Sequence, residues 1–114
     1  MIKIKLPIKT VSEANRREHW ATKAKRVKKQ REAVRMIMRP LIEERHIFDD
    51  EEIDIELIRH GKRKLDCDNL AGSFKAIRDG IADALGIDDG SERLAWYYDQ
   101  EKSKDYSIEI KISI

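Results

Sequence analysis

A single α/β domain of the α+β kind, with a small mixed sheet packed against two main helices, is what this sequence predicts. Three observations carry that reading. Isoleucines alternate with polar residues at both ends of the chain, a long cationic stretch of helical period follows the first of these segments, and a second apolar stripe of helical period occupies residues 70–85. In chain order the elements read β-α-β-α-β-β over residues 1–114, with no internal repeat, low-complexity linker or domain boundary. A chain of 114 residues has room for one core of ordinary size.

Ile2, Ile4, Leu6 and Ile8 alternate with Lys3, Lys5 and Pro7, the period of two that a half-buried strand requires. Pro7 has no N–H to donate, which puts that end of the strand at an edge or an exit. Residues 9–15 read as a loop. The helical pattern that follows sets Trp20, Ala24, Val27, Val34, Ile37 or Met38, and Leu41 on one side, and Pro40 predicts a kink or a stop around Arg39. Trp20 shares its register with Ala24 and Val27, so the core is its expected place rather than a stack on a nucleic-acid base. His19 reads as a surface or DNA-facing residue.

Residues 43–52 are polar and include Asp49-Asp50-Glu51-Glu52. Consecutive acids point in all directions, so a solvated loop is expected there rather than a second metal site. Ile53, Ile55 and Leu57 begin a second strand, which delivers the chain into a basic loop, Arg59-His60-Gly61-Lys62-Arg63-Lys64. Leu70, Phe74, Ile77, Ile81 and Leu85 recur at steps of three and four and predict one amphipathic helix, capped by Asp68 or Asn69 and stopped by Gly86. Residues 94–98, weighted by Trp96, Tyr97 and Tyr98, form a strand. Residues 99–105 connect it to the closing strand of Ile108, Ile110, Ile112 and Ile114.

Hydrophobic and charged residues each make up 40% of the chain, and no apolar run approaches the ~20 residues of a membrane span. The N-terminus lacks a signal-peptide pattern, so no membrane association and a cytoplasmic location are expected. One cysteine excludes an internal disulfide and a cysteine-cluster metal site. The net charge of +2 is unevenly spread: residues 16–39 hold ten Lys/Arg against Glu18 and Glu32, a local charge of +8 that leaves −6 for the rest. Long side chains lying over their own helix would account for some of these cations. Such an excess of one sign, little of it paired, points instead to a polyanion as partner.

The stretch richest in chemistry is Asp66-Cys67-Asp68-Asn69-Leu70, followed by Lys75, Asp79 and Asp88-Asp89. In an extended segment Asp66 and Asp68 project to the same side. Two carboxylates that close repel unless a proton or a divalent cation lies between them, and a histidine-free oxygen cluster suits Mg²⁺ or Mn²⁺ better than zinc. On one helix, Lys75 lies two turns beyond Asp68 with Asp79 a turn further. The Ile-Asp-Asp-Gly turn must fold back for Asp88 or Asp89 to join them. Each piece also has an ordinary reading: a helix cap, an i,i+4 ion pair contributing about 0.2–0.5 kcal/mol, a turn. Their combination on one unit behind a run of cations favours a site.

The pattern Asp66-x-Asp68-Asn69-Leu70 with Lys75, Asp79, Asp88-Asp89 and the basic loop upstream resembles the RusA family of Holliday junction resolvases, small endonucleases of phages and prophages. Ser12-Glu13-Ala14-Asn15-Arg16-Arg17 and the basic helix resemble it more loosely, so the likeness spans the chain but is specific only over residues 66–89. In the family pattern the lysine stands three residues nearer the aspartate pair, which keeps its helical face but shifts it along the axis. The resemblance implies a Mg²⁺-dependent endodeoxyribonuclease that resolves four-way DNA junctions by paired phosphodiester hydrolysis, acting as a homodimer in recombination and repair. It implies that Asp66, Asp68 and Asp89 hold one or two ions, with Asp88 as the alternative to Asp89, and that Lys75 acts beside the scissile phosphate. Arg16, Arg17, Lys23, Arg26, Lys28, Lys29, Lys62, Arg63 and Lys64 would hold DNA. Competing readings are a less selective nuclease for branched or single-stranded DNA, and a DNA-binding module without catalysis.

Overall fold

Alternating isoleucines build the two strands that the ends of the chain contribute, and the centre of the sheet is longer than its pattern indicates. The computed structural model describes residues 1–11, 19–45 and 51–114. The elements are β1 (Ile2–Leu6), α1 (Trp20–Arg45), β2 (Ile53–Gly61), α2 (Cys67–Ser73), α3 (Lys75–Leu85), β3 (Leu94–Lys102) and β4 (Ser107–Ser113). The fold is therefore a single α+β domain in the expected order, with the second helix divided in two. Strand order is β1-β4-β2-β3. β4 runs antiparallel to both neighbours, and β2 and β3 are parallel across the α2–α3 crossover, which makes the sheet mixed.

The helices cover one face. Ile2 and Leu6, Ile53, Ile55 and Leu57, Leu94, and Ile108, Ile110 and Ile112 pack there against Val34, Met38, Ile42, Phe74, Ile77 and Ile81. Lys3, Lys5, Asp54, Glu56, Tyr97, Asp99, Glu101, Glu109 and Lys111 alternate onto the other face. α1 and α3 meet closely at Gly80, where a Cβ would stand 2.6 Å from the Arg31 carbonyl oxygen and 3.0 Å from the Val34 Cβ.

Several expectations are corrected here. α1 does not stop near Arg39; it continues through Pro40 to Arg45. The buried Ile42 lies beyond the proline, and burying it contributes about 1.5–3 kcal/mol toward holding the last turns in helix. Trp20 is not a core residue. It is 77% exposed, with its ring beside that of His19, because only Val34, Met38 and Ile42 of α1 are buried and the first half of the helix extends past them. Of the two candidates Ile37 and Met38, Met38 enters the core. Arg59 and His60 belong to β2 and are buried, at 5% and 8% exposure, so the basic loop begins only at Lys62. β3 likewise runs on to Lys102, through residues expected in a connection.

His60 Nε2 lies 2.6 Å from Glu109 Oε1 on the adjoining strand, and its Nδ1 is 3.6 Å from Glu101 Oε2. The bond to His60 holds the Glu109 carboxyl below its ordinary range, against the opposing effect of desolvation. A carboxyl whose pKa is lowered on folding contributes stability that is present at neutral pH and lost as pH falls through the lowered value. Glu109→Gln is therefore expected to be less stable than the parent at neutral pH, with the gap closing as the pH is taken into the acid range. Urea unfolding over that range measures it, and a gap independent of pH would rule out the coupling.

Candidate functional site

Asp66 is extended (φ −69°, ψ 167°) and caps α2, its Oδ1 accepting the Asn69 N–H at 3.1 Å. This corrects two expectations. The cap is Asp66 rather than Asp68 or Asn69, and Asp68 lies in the first helical turn rather than in an extended segment beside Asp66. Carboxylates there also suit the positive end of the helix dipole. Among the described residues Asp68 has no hydrogen-bond or ion-pair partner. Cys67 between them is exposed.

The apolar stripe over residues 70–85 predicts one amphipathic helix, yet the path turns at Phe74 (φ −95°, ψ 4°), where α2 ends and α3 begins. Phe74 is fully buried, its ring 6.0 Å from that of Tyr98, and Ser73 Oγ donates to the Leu70 carbonyl at 2.7 Å. The apolar stripe continues unbroken across the turn, which is why its periodicity does not show the break. Gly86 ends α3 as expected, in the left-handed region at φ 70°, with the Gly86 and Ile87 N–H groups reaching the Ala82 carbonyl.

The Asp-Asp-Gly turn folds back onto α3 and β3, but among the described residues no hydrogen bond or ion pair joins it to Asp66 or Asp68, and the three aspartates form no metal-holding group. Asp89 O accepts from Trp96 Nε1 at 2.9 Å and from Arg78 Nη2 at 3.2 Å, which ties the turn to β3. Its carboxylate meets Lys75 Nζ at 3.2 Å and Arg78 Nε at 3.5 Å. Lys75 Nζ also reaches Asp79 Oδ1 at 2.9 Å, so one ammonium bridges two carboxylates. The bond to Lys75 holds Asp89 below the usual carboxylate range, and the bonds to Asp79 first and Asp89 second raise Lys75 above that of a free lysine. Lys75 is thus a fixed positive charge at neutral pH and no proton acceptor. Asp88 Oδ1 accepts the Gly90 N–H at 2.9 Å, the local bond of an Asx turn.

Sequence reasoning assigns no part in this cluster to two of its residues, Arg78 and Arg31. Arg78 donates to Tyr98 Oη at 2.8 Å and lies 4.7 Å over the Trp96 ring, so it joins helix, turn and strand; its place one turn from Lys75 is the only hint in the sequence. Arg31 makes a two-pronged pair with Asp83, at 2.6 and 2.9 Å, and approaches Asp79 at 3.9 Å, which takes it out of the set of cations free for a ligand.

Of the expected DNA-binding residues, Lys23, Lys28, Lys29, Lys62, Arg63 and Lys64 are exposed and Arg26 is half-buried, whereas Arg16 and Arg17 lie outside the described residues. Lys23 and Val27 of α1 form one wall of a groove of about 520 Å³, with Gly72, Lys75, Arg78 and Tyr98 opposite. Among the α1 cations, Lys23 thereby borders the Lys75 cluster.

Magnesium is the ion that the resemblance implies. Hard carboxylate oxygens suit it, but their arrangement does not. Among the described residues no three His, Cys, Asp or Glu side chains are grouped to hold a metal ion. Asp66 spends one oxygen on its cap, and Asp89 faces two cations. The residues as placed do not fit a ready-made three-carboxylate site. The chain matches no family model and no curated protein. Among the described residues no helix is long and apolar enough to cross a membrane.

Proposed function

We propose that this chain is an endodeoxyribonuclease acting on branched, four-way DNA junctions, as a homodimer in the cytoplasm. The observation that supports it is the groove in which Lys23 of α1 stands across from Lys75, whose ammonium bridges Asp79 and Asp89. A phosphodiester in that groove would lie between Lys23 and Lys75, its charge met by an ammonium that two carboxylates keep protonated. Arg78, fixed between Tyr98 and Trp96, orients the turn bearing Asp89. A two-fold pair of such chains would present the two equivalent sites that symmetric strand cutting needs. Magnesium enters only as the ion that the resemblance implies, since the carboxylates as placed form no three-ligand group, and Asp68, without a partner among the described residues, is the one that the test addresses.

A second reading has its own support. Asp66 is a cap, Asp88 closes a turn and Asp89 is neutralised by Lys75 and Arg78, so three of the four aspartates have structural work in a protein that only binds DNA. One experiment separates the readings. A labelled four-way junction, a fork and a linear duplex are incubated at low salt with and without Mg²⁺, using the parent and Asp68→Asn. The resolvase reading expects Mg²⁺-dependent cutting of the junction above the other two, lost in Asp68→Asn with junction binding retained. Equal cutting of all three identifies a less selective nuclease. Binding without cutting at any Mg²⁺ concentration identifies the non-catalytic module.

A further inference from the structure

The far end of β2 and β3 brings together cations that lie forty residues apart in the chain. Gly61 pairs with Lys102 in the parallel register, and the Ser103 N–H donates to the Gly61 carbonyl at 2.8 Å, so the turn after β2 and the turn after β3 are fastened side by side. Gln100 strengthens the junction by bonding both the N–H and the carbonyl of Leu65, at 2.8 and 2.7 Å. The result is an open recess lined by Lys62, Lys102, Ser103 and Lys104. The three lysines are exposed, and among the described residues none has a carboxylate or hydrogen-bond partner.

Beneath this end of the sheet lies a second cationic group without an acid. Arg59 is 5% exposed, and its guanidinium donates to the Arg63 carbonyl at 2.7 Å and the Thr10 carbonyl at 3.4 Å, with no carboxylate partner among the described residues. Its Cζ lies 5.9 Å from the Tyr106 ring, which also carries Lys9 Nζ at 4.5 Å. A buried guanidinium balanced only by dipoles and a ring adds to the positive potential at the surface above it.

We propose that the recess of Lys62, Lys102, Ser103 and Lys104 is a phosphate-binding site for a DNA backbone, additional to the α1 surface. The recess is open rather than enclosed, and the nearby Tyr106 ring is covered by cations, which favours a run of phosphodiesters over a stacked nucleotide. Tyr98, in the wall of the Lys75 groove, and Lys102 lie four residues apart on the same face of β3, about 13 Å at the rise of a strand. A backbone crossing the Lys75 groove can therefore continue into the recess. This inference rests on the DNA-binding part of the proposed function and on none of its catalytic part.

The test compares Lys102→Gln/Lys104→Gln with Lys28→Gln/Lys29→Gln and the parent in binding a labelled four-way junction over a salt series. Inorganic pyrophosphate is titrated into the parent in parallel and followed by backbone amide resonances. Loss of two phosphate contacts should flatten the slope of log K against log[salt] by about 1–2 in the Lys102/Lys104 variant, with pyrophosphate shifting the Ser103 and Lys104 amides. An unchanged slope in that variant, with a flattened one in the α1 variant, overturns the recess and leaves the proposed function standing. If no DNA binds, the DNA site and the proposed function fall together, and pyrophosphate shifts on those amides then mark a small-anion site only.

Discussion

Phe74→Ala is expected to lower the free energy of unfolding by about 3–5 kcal/mol, the range for truncating a fully buried aromatic side chain. The ring is the largest fully buried side chain of the core, and it sits where the chain turns from α2 into α3 against Tyr98. Its loss leaves a cavity between both helices and β3, and it loosens the turn that joins α2 to α3. Chemical denaturation gives the magnitude. A loss under about 1 kcal/mol would mean that the site refills by collapse, contrary to the packing described. Phe74→Leu, which restores most of the volume, should recover a large part of the stability.

Lys75→Met is expected to lower junction cleavage about a hundredfold, the scale on which removing one preorganised electrostatic group acts, while junction affinity changes little. Methionine keeps the length of the side chain and removes the charge that bridges Asp79 and Asp89. Stability should change little, because the Lys75 side chain is 63% exposed and water screens such pairs. A readout independent of turnover is the titration of Asp89: without the Lys75 bond its carboxyl should move up toward the ordinary aspartate range. Lys75→Arg should restore part of the rate. Cleavage by Lys75→Met at the parental rate would remove Lys75 from the catalytic proposal, and an Asp89 titration that does not move would show that the bridge is not formed in solution.

What the sequence makes legible is whatever rests on local periodicity. Alternation in residues 2–6 and 108–112 marks β1 and β4 because one face of each is buried and the other is not. Gly86 ends its helix because the left-handed conformation there favours glycine. Lys75 meets Asp79 because i,i+4 side chains share a face. Illegible were the features decided by distant partners. Arg59 and His60 look like the start of a loop because their burial depends on Thr10, Glu109 and Tyr106. Trp20 has the register of a core residue, but burial needs a facing element as well as a register, and α1 is buried only over its second half. In the candidate site, the sequence requires Asp89 to return to Asp66 and Asp68; Arg78 and Trp96 instead tie its turn to α3 and β3 beside Lys75. The split at Phe74, and the assignment of Asp66 to capping, followed from backbone geometry that a stripe of apolar residues leaves unspecified.

Cys67 offers a practical return on that geometry. It is the sole sulfhydryl in the chain, it faces solvent at the first position of α2, and its two neighbours are the carboxylates most in question. A maleimide dye attached there would mark one defined spot per molecule without any engineered background. Its emission would then report the arrival of an ion or a nucleic-acid strand at that end of the helix in real time.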